Sequence, residues 1–264
     1  MTYETLDTRL DARGVAYVTL NLPEKRNALS AQMIADLTDM ARTLGSAATT
    51  RAIVLAGAGK VFCAGGDLGW MKAQIEADRP TRMREARKLA EMLNALNTMP
   101  TPLIGRIHGG AFGGGVGLAC VCDVAIAETA ATFGLTETRL GLIPATIGPY
   151  VLARMGEGRA RRIFMSARIF GAEEARNLGL VASVVPPADL DRAVEAEVEP
   201  YLSVAPRAVG AAKALARSLG PRIDATVIED TIQRLADTWE GEEARQGIAA
   251  FLGKTSAPWQ SGKS

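Results

Sequence analysis

Residues 109–123 read GGAFGGGVGLACVCD, with six glycines and no acid before Asp123. Two apolar runs flank them, TPLIGRIHG (101–109) and DVAIAE (123–128), and each reads as a strand. A helix that opens at the glycines and runs to about Cys122 joins the two. Strands joined by a crossover helix lie parallel, so this stretch restricts the chain to α/β layering.

The same order recurs upstream. GVAYVTLNLP (14–23) predicts a strand stopped by Pro23, and Ser30 predicts the N-cap of a helix to about Leu44, with Met33, Ile34, Leu37, Met40 and Ala41 at helical spacing. RAIVLAG (51–57) predicts a short buried strand, FCAGGDL (62–68) a glycine turn, and residues 80–98 a long helix with Met83, Ala86, Ala90, Leu93 and Leu96 on one stripe. Its basic run RPTRMREARK (79–88) reads as a solvated face. Beyond Pro187 strand signals fade, and helices broken by Pro and Gly continue to about residue 252. The expected organisation is an α/β core over 1–200 and a helical region over 201–264, loose beyond Lys254.

Composition removes several classes of function. Lys and Arg number 30 against 29 Asp and Glu, so no general attraction to nucleic acid or an anionic membrane is expected. An anionic ligand must be met by a few local basic residues. The three cysteines, Cys63, Cys120 and Cys122, form no disulfide framework, and with the single His108 they make no zinc set. They read as small buried residues of a reducing cytoplasm. The polar start, MTYETLDTRLDARG, lacks the pattern of a signal peptide. The uncharged run Ile107–Cys122 is shorter than the ~20 residues of a membrane helix. The expectation is a soluble, cytoplasmic protein with no metal.

Familiar glycine motifs fail. A dinucleotide fingerprint begun at Gly115 meets Gly117 but then Cys120 in its third slot, and GAGKVF places Val61 where a phosphate loop needs Ser or Thr. A nucleophile elbow is absent, and His108 reads as structural.

Glycine at a helix start admits a ligand to the backbone, where unpaired N–H groups and the dipole favour negative charge on oxygen. Tight packing explains one such cluster equally well. The second turn, FCAGGDL, changes the balance: Gly65 and Gly66 precede Asp67, a residue suited to capping a short helix. Two such turns can aim two N–H groups at one oxygen, an oxyanion hole worth about 2.7–4 kcal/mol per donor.

NLPEKRNALS, KVFCAGGDL, IHGGAFGGGVG, FGLTETRLGLIP and AFLGKTSAPW occur in the order seen in the crotonase, or enoyl-CoA hydratase/isomerase, family, which the chain resembles over nearly its whole length. The resemblance implies a crotonase-like spiral of β-β-α repeats with a C-terminal helical region that builds trimers, often paired into hexamers. It places the oxyanion donors on the N–H groups of Gly66 and Gly114. It places Lys25, Arg26, Ala28, Ala64, Gly65, Asp67, Leu68 and Gly110 along the acyl-CoA, and Lys254 at a neighbouring subunit's CoA phosphates. Coenzyme A then arrives as part of the substrate, and no separate cofactor is expected.

Hydratases of the family commonly carry two glutamates. The first falls on Gly117 and is missing; the second falls on Glu137. A carboxyl buried beside an acyl pocket has a raised pKa and can move protons at neutral pH. Three functions follow: hydration of a 2-enoyl-CoA, Δ3,Δ2-isomerisation with Glu137 as sole proton carrier, or acyl-CoA binding without turnover. ETRLGLIPATIGPYVLARMG resembles hydratases of branched glutaconyl-CoA compounds, such as methylglutaconyl-CoA, which places hydration first. Arg139 is a candidate partner for a substrate carboxylate. Asp123 and Glu128 read as structural.

Overall fold

A computed structural model describes residues 2–260. The chain opens with an antiparallel hairpin of β1 (Leu6–Leu10) and β2 (Val15–Leu20), with Leu6 opposite Leu20. β1 has no counterpart in the sequence reading. It is an edge strand, and Asp7 and Arg9 face water, which hides the pattern of a buried strand.

The Ser30 side chain accepts the Met33 N–H at 3.2 Å and starts α1 (Ala31–Thr43), which buries Met33, Leu37 and Met40. β3 (Ala52–Gly57) follows. Asp67 and Asp78 then cap α2 (Leu68–Glu76) and α3 (Arg79–Thr98), accepting the N–H groups of Trp70 and Thr81, each at 2.9 Å. The glycine region comprises β4 (Leu103–Ile107), β5 (Gly110–Phe112), α4 (Gly114–Val121) and β6 (Val124–Glu128). Next come β7 (Thr132–Gly134), α5 (Gly148–Met155), α6 (Glu157–Phe164), β8 (Ile169–Gly171), α7 (Ala172–Asn177) and β9 (Ser183–Val185). The remainder holds α8 (Leu190–Val198), α9 (Pro206–Leu219), α10 (Ala225–Glu240) and α11 (Glu242–Gly253).

The strands form two sheets. The larger has the order β1-β2-β3-β4-β6-β9, parallel throughout except at the first pair; the smaller has the order β5-β7-β8. After β4 the chain places β5 in the small sheet, crosses through α4 to β6 in the large one, and returns to β7 beside β5. Each β-β-α turn thus extends both sheets, as expected of the β-β-α spiral that the resemblance implies.

The continuous apolar run of β3 has a physical reason. Ile53 and Leu55 join the core beneath α1, α3 and α4, whereas Ala52 and Val54 join a second cluster with Leu190, Val194 and Val198 of α8. A parallel strand covered on both faces has no polar side to alternate.

Two expectations need correction. The basic run at 79–88 ties helices together: Arg79 pairs with Asp237 at 2.7 Å and Glu240 at 2.9 Å, and Arg87 with Glu229 at 2.7 Å. Around these pairs Ala86 and Ala90 of α3 pack with Ile232, Leu235 and Trp239 of α10. The chain also stays packed past Lys254, since the Thr255 N–H donates to Ala250 O at 2.9 Å and Ala257 is buried. The last part of that tail, 261–264, lies outside the described residues.

Candidate active site

Three segments distant in sequence are laced together by main-chain hydrogen bonds. The Ala64 N–H donates to Arg26 O at 3.0 Å and the Leu29 N–H to Gly65 O at 2.7 Å, so residues 26–29 run alongside 64–67. On the other side, the Cys63 N–H donates to Gly110 O at 3.1 Å and the Phe112 N–H to Cys63 O at 3.0 Å. The FCAGGDL turn is therefore held between the NLPEKRNALS loop and the start of the glycine helix.

Two glycines are required here by conformation. Gly65 has φ +93°, and a Cβ on it would lie 2.8 Å from Phe112 O and 3.7 Å from the Gly114 nitrogen. Gly113 caps α4 with φ +48°. The turns that carry Gly66 and Gly114 consequently touch. Among the described residues neither of these two N–H groups has an acceptor, and Gly66 is exposed. Such a pair of free donors next to a helix start can hold a developing oxyanion.

Glu137 begins a single 3-10 turn, Glu137–Leu140, immediately after β7. Its Oε1 lies 3.0 Å from where a Cβ on Gly113 would stand. Its Oε2 is sealed from solvent and has no hydrogen-bond partner. Burial pushes this carboxyl up to about 7, with its own main-chain N–H opposing the rise. The group is therefore poised to exchange protons near neutrality, beside two main-chain N–H groups that have no acceptor among the described residues.

The remaining sequence-derived residues fall around this centre, with one exception. Lys25 and Arg26 are exposed, and their side chains form no ion pair among the described residues. Ala28 is buried beneath them, Asp67 caps α2, Leu68 is half exposed, and Gly110 pairs with Thr132. Lys254 is the exposed C-cap of α11, and among the described residues no hydrogen bond links it to that loop. The Arg139 side chain is exposed, without a hydrogen bond or ion pair among the described residues. The carboxylates read as structural have structural partners. Asp123 accepts from the Leu103 N–H at 2.8 Å and Lys213 at 2.6 Å, and Glu128 from the Gly109 N–H at 2.8 Å. His108 Nε2 lies 3.0 Å from Gly59 O, so the ring donates there.

The sequence reading misses Asn27 and Trp70. Asn27 is fully buried with φ +52°; its Oδ1 accepts the Leu22 N–H at 3.0 Å, and its Nδ2 donates to Ala58 O at 2.8 Å and Val61 O at 2.9 Å. It thereby shapes the loop that presents Lys25 and Arg26. Asparagine after a Pro-Glu-Lys-Arg run was a usable signal, since it tolerates left-handed backbone. Trp70 packs beside the apolar cluster of Met83, Leu140, Ile143 and Trp239, with a buried Nε1 that has no partner. No local pattern marks it.

Comparison with known proteins agrees with this arrangement. A family model described as enoyl-CoA hydratase/isomerase matches residues 11–262. The chain belongs to the enoyl-CoA hydratase/isomerase family. A crystal structure of an enoyl-CoA hydratase from Shewanella pealeana shares 35% identity with this member, with a TM-score of 0.80 over 98% of this chain and 97% of that one. AtuE of Pseudomonas aeruginosa shares 37%, with a TM-score of 0.79 over 97% and 99%. Enoyl-CoA hydratase ACTT6 of Alternaria alternata is 33% identical over 256 residues, covering 95% of this chain and 83% of its own. This family member is thus an enzyme of the crotonase fold. Among the described residues no helix is long and apolar enough to cross a membrane.

Proposed function

We propose that the enzyme hydrates a 2-enoyl-CoA thioester, with a branched or carboxylated, methylglutaconyl-like acyl group as the preferred class. The carrying observation is the Glu137 carboxyl, whose Oε2 is sealed from solvent and has no hydrogen-bond partner, standing over Gly113 beside two free main-chain donors. In this reading the N–H groups of Gly66 and Gly114 bind the thioester oxygen and stabilise its enolate. Ionised Glu137 takes a proton from water, and the hydroxide oxygen bonds to C3 while the C2–C3 π pair moves onto the thioester. The enolate then collapses and takes at C2 the proton held by Glu137, which returns the carboxylate. Water adds as H and OH, and the enzyme is unchanged.

The free charges of Lys25 and Arg26 suit the CoA phosphates, with Ala28, Ala64, Gly65, Asp67, Leu68 and Gly110 along the thioester arm. Lys254 would complete a neighbouring subunit's CoA site in a trimer, or a hexamer of paired trimers. Support for assembly comes from α9, which buries no apolar side chain in the single chain and leaves Leu215 and Leu219 exposed. The chemistry needs no group beyond the CoA that the substrate carries. Three buried free thiols suit a reducing cytoplasm.

A second reading, Δ3,Δ2-isomerisation, is favoured by the glycine at 117: one carboxyl that lifts a proton from C2 and returns it at C4 suffices. The test is spectroscopic. Loss of conjugated enoyl-thioester absorbance on adding enzyme, abolished by Glu137→Gln, supports hydration. Gain of that absorbance from a 3-enoyl-CoA, without hydration of the conjugated isomer, replaces it with isomerisation. Neither change with either substrate refutes both.

A further inference from the structure

Gly113 and Gly117 lie one turn apart on the same face of α4, and the N–H of Gly117 donates to Gly113 O at 3.1 Å. The Glu137 carboxyl covers the first of these glycines. The second is covered by a different side chain: a Cβ on Gly117 would stand 2.6 Å from Ile147 Cγ2, 3.1 Å from Ile147 Cβ and 3.7 Å from Leu93 Cδ2. Ile147 is 2% exposed and sits at the N-cap of α5, its carbonyl accepting from the N–H groups of Tyr150 and Val151. It cannot swing away without uncapping that helix or opening a void among Gly117, Leu93 and α4. Position 117 is therefore the place on α4 from which a second polar side chain would reach the neighbourhood of Glu137, and hydrocarbon fills it.

We infer that Ile147 is a specificity-determining residue: seated in the notch at Gly117, it bars any second proton-carrying side chain from α4 and leaves Glu137 alone to move protons beside the thioester. The inference rests on the proposed role of Glu137. Its consequence concerns substrate class. Reactions that return one proton on a single face are served, whereas substrates whose turnover needs a separate acid and base held by the protein are excluded.

The contact and its chemical role are tested in the full-length enzyme by two double-mutant cycles. In the first, Gly117→Ala, Ile147→Ala and the double variant are compared by thermal unfolding. Helix propensity alone favours alanine at 117, so a lower Tm for Gly117→Ala, at least partly restored by adding Ile147→Ala, shows the notch is occupied. An unchanged or raised Tm for Gly117→Ala in the presence of Ile147 overturns the inference. In the second, Gly117→Glu loses at least tenfold in kcat/KM, and adding Ile147→Ala restores folding and introduces a second ionisation into the pH profile of hydration. A folded double variant with the single-ionisation profile of the natural enzyme overturns the specificity role. Full activity of Glu137→Gln would instead refute the role of Glu137, while the first cycle would still report on the notch.

Discussion

The Glu137 carboxyl stands directly over Gly113, its Oε1 3.0 Å from the point a Cβ there would occupy. Gly113 also holds φ +48° at the cap of α4. Gly113→Ala therefore meets both a disfavoured backbone and the Glu137 carboxyl, the proposed acid/base. The expected outcome is a loss of about 10²-fold or more in kcat, the order of one misplaced oxyanion donor, measured as initial rates on an enoyl-CoA.

Burial of Glu137 has a thermodynamic sign. Its carboxyl is raised from 4.5 to about 7, so the folded state holds a proton that the unfolded chain releases between these values. Its contribution to stability falls as pH rises through that window, by about 3 kcal/mol in full. Glu137→Gln should therefore be progressively more stable than the parent from pH 5 to 8, by urea unfolding. An equal difference at both ends contradicts the assignment.

The proposed role of the same group predicts a pH dependence of turnover. In the proposed hydration Glu137 must be ionised to accept a proton, so kcat/KM should climb with pH and level off above about 7. A profile flat from pH 5 to 8 would separate the rate from this carboxyl.

The Asn27 side chain makes three hydrogen bonds from a fully buried, left-handed position. Asn27→Ala leaves the Leu22 N–H and two carbonyls unpaired and removes a residue suited to that backbone. A loss of about 3 kcal/mol is expected, with KM for acyl-CoA raised, because the loop carrying Lys25 and Arg26 depends on it.

Lys213 of α9 donates to Asp123 at 2.6 Å, and its side chain is 8% exposed. Burial lowers its pKa, against the pull of Asp123. Lys213→Met leaves the Asp123 carboxylate, among the described residues, with only the Leu103 N–H and Arg217 at 3.3 Å. We expect a cost of about 3 kcal/mol, mostly recovered by Asp123→Asn in the same chain, read as Tm across the four variants.

The elements readable from sequence were those whose signal is local. Ser30 before a helical stripe, Asp67 before α2, and the apolar runs of β3, β4 and β6 each carry their cause within a few residues. β5, β7 and β8 span three residues each and pair across long separations, too short for a period to show. Arg139 and Arg79 show the same limit for charge. The side chain of the first has no partner among the described residues and that of the second bridges to α10, yet no neighbouring residue distinguishes them.

By itself the sequence determined the parallel α/β layering of its longer strands, the glycines at 65–66 and 113–115, a lone glutamate at 137 and the gap at 117, because residue type and local backbone preference suffice for these. Tertiary structure alone decided that Glu137 loses water and moves to about 7, that Asn27 braces the basic loop, and that Ile147 closes the space at Gly117. Desolvation and steric exclusion depend on which distant atoms arrive at a point, and only the closed spiral brings them there.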